Sequence, residues 1–127
     1  MKLRIKGNSL RLRITRPELA GLEHGRPVAE IIHLGPEPGQ SLRYSLAVQP
    51  LAEPVTVEFH ANAIAVTLAQ AQFEKWSRED EVGVYASLDL GSAGLLDVAV
   101  EKDFKCLDSR GEQDEEAFPN PLAGKAC

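Results

Sequence analysis

The sequence predicts a single α+β domain: an antiparallel β-sheet, or a partly closed β-barrel, of about six or seven strands with two short helices. Three observations carry that prediction. Apolar and polar residues alternate with period two through most of the chain. Gly, Pro and Asn interrupt the alternation at hairpin spacing. Helix signals are confined to two short stretches, after Thr15 and after Leu68. With 127 residues the chain is sized for one core, and 43% apolar against 26% charged residues is the balance of a globular protein. Residues 1–107 are read as the domain and 108–127 as an acidic arm belonging to it.

The first segment alternates on both sides of Gly7-Asn8, a two-residue hairpin signal. Pairing Lys6 with Ser9 sets Ile5 opposite Leu10 and Leu3 opposite Leu12 on an apolar face. Arg4 then faces Arg11, and Lys2 faces Arg13, on a cationic face. Thr15-Arg16-Pro17-Glu18 has the form of a capping box with proline in the first turn, and Gly25 is the expected stop, with Leu19 and Leu22 as the buried contacts between.

Strands follow near residues 28–34 and 42–48, separated by the Gly-Pro-Glu-Pro-Gly run at 35–39. A third hairpin spans 55–68 around Ala61-Asn62, pairing Phe59 with Ile64, Val57 with Val66 and Val55 with Leu68. Phe73 and Trp76, three apart within 69–79, place two aromatics on one side of a helix covering the sheet. A last hairpin runs from 82–88 to 95–104. Beyond it lie four acids within residues 112–116, then Pro119 and Pro121, which suit an extended arm. Phe118 is the side chain that would anchor this arm and bring its acids to the cationic hairpin. No internal repeat is evident beyond the hairpins themselves.

The net charge of −5 conceals a split: residues 1–50 hold eight basic and four acidic groups, residues 51–127 six basic and fifteen acidic. Six bases and no acids occur in the first sixteen residues, but the overall negative charge and the lack of interleaved aromatics count against nucleic-acid binding. No apolar run reaches the roughly 20 residues that cross a bilayer. Cys106 and Cys127 are too few for a disulfide framework and lack zinc-type spacing, so free thiols and a cytoplasmic location are expected.

The like charges on the first hairpin repel unless offset. Arg4, Arg11 and Arg13, with Arg43, are therefore candidate ligands for a small anion or an acidic protein segment, since guanidinium forks suit phosphates and carboxylates. The plain alternative is a solvated face paired with acids of a neighbouring strand. A second alternative is a closed barrel whose lumen gathers Glu58, Glu101 and Asp103 as hard ligands for a divalent metal, as in phosphoryl hydrolysis. A third is a structural or assembly protein. Lys102 shares a side with apolar Val100, and either its stem covers the core at a strand end or its amine is buried beside a carboxylate. His24, His33 and His60 show no metal-motif spacing, and neither a phosphate loop nor a nucleophile elbow is present, so no cofactor is called for.

Two stretches, Lys2-Leu3-Arg4-Ile5-Lys6-Gly7-Asn8-Ser9-Leu10-Arg11-Leu12-Arg13 and Val100-Glu101-Lys102-Asp103-Phe104-Lys105-Cys106-Leu107 with Phe118-Pro119-Asn120-Pro121 beyond, resemble a small bacterial family of uncharacterised proteins over nearly the whole chain. The resemblance implies a compact bacterial cytoplasmic protein. It implies no activity and no catalytic residue.

Overall fold

Lys2–Ile5 (β1) and Ser9–Ile14 (β2) pair antiparallel in the register that the alternation predicts, with Ile5 opposite Leu10 and Arg4 opposite Arg11. Gly7 makes this turn possible by taking φ +56°, a conformation open to glycine without penalty. The structure is a computed structural model that describes residues 1–78, 80–104 and 118.

Helix α1 (Arg16–Glu23) starts at the Thr15 capping box, in which Glu18 N–H donates to Thr15 Oγ1 and Thr15 N–H donates to Glu18 Oε1. It ends at His24, with Gly25 at φ +79° just beyond. The other elements are β3 (Val28–His33), β4 (Ser41–Gln49), β5 (Val55–His60), β6 (Ala63–Ala69), α2 (Gln70–Trp76), β7 (Gly83–Asp89), a 3₁₀ turn at Gly91–Ala93 and β8 (Leu95–Lys102). Helix α2 has no side-chain cap at Ala69. What holds it is burial: Trp76 is 1% exposed, meets Phe73 edge-on at 6.0 Å, and donates from Nε1 to the Val82 carbonyl at 3.1 Å.

Among the described residues the strands number eight, rather than six or seven, and form two four-stranded sheets, β1-β2-β8-β7 and β3-β4-β6-β5, instead of one sheet or a closed barrel. Neither sheet is wholly antiparallel. Each joins two hairpins through a parallel central pair, β2 with β8 and β4 with β6. Leu12, Ile14, Leu46, Val66, Leu68 and Val100 meet in one apolar cluster that draws on both sheets. No charged or polar residue is buried among the described residues, so the polar-lined lumen expected for a metal site does not exist there.

The topology contains an internal repeat that the sequence alone did not reveal. The order β1-β2-α1-β3-β4 recurs as β5-β6-α2-β7-β8. A constant offset of 54 residues carries Ser9 to Ala63 and Arg43 to Asp97, and these four are the facing residues of the two parallel pairs. The turn asparagines are likewise equivalent. Asn8 Nδ2 donates to the Leu95 carbonyl at 2.7 Å and Asn62 Nδ2 to the Gly39 carbonyl at 3.0 Å, each stitching its hairpin to a hairpin of the other half. Strand β7 sits two residues further on than strict repetition requires, so that Val84 and Val100 pair as Val28 and Leu46 do. The molecule is a pseudo-dimer within one chain, each sheet built from one hairpin of each half.

The Met1 amine ties β1 to its neighbours, donating to Glu18 at 2.5 Å and to Glu30 of β3 at 3.0 Å. Burial alone would lower its pKa, but the bonds to Glu18 and Glu30 outweigh it and raise the value above 8.0. Glu18 moves the other way: burial favours its neutral form, yet the amine and Thr15 hold its carboxyl below 4.5.

Candidate functional site

Strand alternation sends Lys2, Arg4, Arg11 and Arg13 to the face of the first sheet opposite the core, and the parallel pairing sets β8 beside them. Three cross-strand rows result. Ser9, Asp97 and Ser87 form the first; Arg4, Arg11, Ala99 and Tyr85 the second; Lys2, Arg13, Glu101 and Gly83 the third.

Glu101 is the hub of this face, with its side chain 12% exposed. Its Oε1 lies 3.5 Å from Arg11 Nε and 3.4 Å from Arg13 Nε, while its Oε2 accepts the Tyr85 hydroxyl at 2.7 Å. Gly83 gives this cluster its room. A Cβ there would stand 2.9 Å from Glu101 Cγ, 3.0 Å from the Tyr85 hydroxyl and 2.7 Å from the Val100 carbonyl. Burial pushes the Tyr85 hydroxyl above its ordinary 10.0 and the bond to Glu101 adds to the rise, against the pull of Arg11 and Arg13. Lys2 pairs with Asp103 at 3.0 Å. The cationic face is thus partly offset by acids of the adjoining strand, as the plain alternative required. Both arginines are gripped at Nε, and among the described residues their terminal nitrogens make no hydrogen bond. Beside Arg11 the face dips into an open concavity of about 410 Å³ over Ala99, walled by Tyr85, Ser87 and Asp97.

Arg43 does not join this group, because it lies on β4 of the second sheet, paired with Ile31 and Ala63. Glu58 is on that sheet too, opposite Ala65. It is therefore not brought together with Glu101 and Asp103, and no group of three metal-ligating side chains forms among the described residues. Lys102 reaches the Arg78 carbonyl from the end of β8, the first of its two alternatives. His24, His33 and His60 are exposed. Phe118 is 95% exposed and so is not buried against the described residues, while Cys106, Cys127 and the rest of the arm lie outside them. Tyr85, Ser87 and Gly83 went unnoticed in the sequence, where only their alternation within β7 marked them.

A family model matches residues 1–122. The chain belongs to the family of unknown function DUF7009. No curated protein and no solved structure shows a significant match to this DUF7009 chain. No helix among its described residues is long and apolar enough to cross a membrane.

Proposed function

We propose that this DUF7009 chain is a small cytoplasmic binding domain for an anionic ligand, taken up on the outer face of the first sheet by Arg4, Arg11 and Arg13. The observation that carries the proposal is the grip of Glu101 on Arg11 and Arg13 through their Nε atoms. That geometry fixes both side chains while leaving their terminal forks unbonded among the described residues, which lowers the ordering cost of taking a phosphate or carboxylate.

The internal repeat supports it. The equivalents of Ser9, Arg11 and Arg13 in the second half are Ala63, Ala65 and Thr67, so this backbone does not need arginine at those places. Arg4 directly opposite Arg11, and Lys2 opposite Arg13, are pairs that each destabilise a sheet by a few tenths to about 1 kcal/mol. A bound anion relieves that repulsion.

The test is a thermal-shift titration with tripolyphosphate at matched ionic strength, with the Arg4→Ala, Arg11→Ala double variant as control. At a hundredfold excess over the dissociation constant a specific ligand adds about 2.7 kcal/mol, a rise of several degrees in the midpoint. A rise that vanishes in the double variant supports the site. An unmoved midpoint, or an equal rise in both proteins, refutes it.

A further inference from the structure

The hydrogen-bonding polarity of the concavity beside Arg11 specifies more than a bare anion. The Ser87 hydroxyl donates to Asp97 Oδ1 at 2.6 Å, the Ser9 hydroxyl to the Lys6 carbonyl at 2.6 Å, and the Tyr85 hydroxyl to Glu101 at 2.7 Å. Every hydroxyl proton around the depression is therefore already spent. What remains on the Ser9–Asp97–Ser87 row is acceptor capacity alone: the second Asp97 oxygen and the lone pairs of two serines. The next row, centred on Arg11, offers the guanidinium donors of Arg11 and Arg4, with the Tyr85 hydroxyl oxygen as its one side-chain acceptor. Two strand residues separate the rows, about 7 Å along β8. A ligand that satisfies both must carry an anionic group at one end and hydrogen-bond donors at the other, a pentose or hexose length apart.

Hydroxyls suit the acceptor row better than an ammonium group does. Lys2, Arg4, Arg11 and Arg13 crowd the same face and repel a cation, and Asp97 already shares one oxygen with Ser87. Tyr85, 58% exposed, supplies a flat aromatic wall of the kind that packs against the apolar face of a sugar ring. None of this recurs across the pseudo-twofold, where Arg11, Asp97, Ser87 and Tyr85 correspond to Ala65, Arg43, Ile31 and Ala29. We infer that the face binds a phosphorylated polyol of the sugar-phosphate class, its phosphate on Arg11 and Arg4 and its hydroxyls on Asp97, Ser9 and Ser87, an inference that rests on the anion-site proposal above.

Calorimetric titration at fixed ionic strength with inorganic phosphate, ribose 5-phosphate, ribose and phosphoethanolamine tests it. Ribose 5-phosphate should bind about tenfold more tightly than inorganic phosphate, as expected of one or two hydrogen bonds to a carboxylate. Ribose alone should give no heat. Asp97→Asn, which puts a donor where an acceptor stood, should erase the preference, while inorganic phosphate should bind no more weakly, because a negative charge near its seat is removed. Asp97→Ala, which removes the carboxylate outright, provides the same readout if Asp97→Asn fails to fold. Equal binding of the two phosphates, a preference that survives both variants, or tighter binding of phosphoethanolamine overturns the polyol assignment while the anion site stands. Absence of Arg11-dependent binding by any phosphate compound overturns both.

Discussion

Ala61→Gly should stabilise this protein, although it removes a methyl group from a hairpin and puts glycine into a sheet-rich fold. Ala61 sits at φ +51° and its neighbour Asn62 at φ +62°, both in the left-handed region. For an L-residue with a side chain that conformation costs roughly 1–2 kcal/mol, and asparagine tolerates it better than alanine does. Glycine removes the strain but gives the unfolded chain more freedom, at a cost of roughly 0.5–1 kcal/mol. The net expectation is a gain of about 0.5–1 kcal/mol, or a few degrees in the melting midpoint. The repeat supplies a reciprocal control, because Gly7 is the equivalent position and stands at φ +56° with nothing within 4 Å of where its Cβ would be. Gly7→Ala meets no steric obstacle, so its effect is backbone strain less the freedom the unfolded chain gives up, a net loss of about 0.5–1 kcal/mol. Urea unfolding followed by circular dichroism measures both, and an unchanged slope shows that only stability moved. If Ala61→Gly destabilises, or Gly7→Ala is neutral, the two turns are not the left-handed pair described.

Trp76→Ala should cost about 3–5 kcal/mol through the cavity it leaves, and Trp76→Phe less, by keeping the ring while losing the Nε1 bond to the Val82 carbonyl; urea unfolding ranks the two. Stability should fall at both ends of the pH scale. The raised Met1 amine stabilises below its unfolded value of 8.0 and stops doing so as pH climbs through its higher folded value, whereas Glu18 stabilises above 4.5 and stops as pH falls through its lower one. Melting scans of the wild type and Glu18→Gln should show the acid limb lost and the alkaline limb weakened in the variant; identical profiles would refute the pairing. Glu101→Gln should bring the Tyr85 ionisation back toward 10.0, read by ultraviolet titration in a Tyr44→Phe background; an unmoved value would mean that Glu101 does not hold that hydroxyl.

Local chemistry made much of this fold legible. The registers Ile5–Leu10 and Phe59–Ile64 follow from alternation about a tight turn, and the Thr15–Glu18 box from capping preference. These are interactions between residues close in sequence, where one chain segment carries both partners. The parallel pairs do not have that property. Arg11 meets Ala99 and Tyr44 meets Ile64 only because the two halves embrace, and no short window contains that information. The repeat escaped notice for a related reason. The halves preserve apolar character, with Leu12 matched by Val66 and Leu22 by Trp76, and they preserve the turn asparagine, but outward positions have changed almost completely. The site was half legible. The arginines stood out as an unusual cationic face, whereas Arg43 and Glu58 were grouped with other residues on the assumption of one closed sheet. Two sheets with separate outer faces place them elsewhere.

Joining the two halves in one chain has a consequence for what such a fold can become. In an assembly of identical subunits every substitution appears twice, so a row of arginines on one sheet would be mirrored on the other, with its repulsion doubled. Here Arg11 and Arg13 answer to Ala65 and Thr67, and one sheet has been loaded with charge while its twin stays small and nearly neutral. The tandem arrangement releases the two faces from evolving in step, leaving one to preserve the architecture while the other specialises.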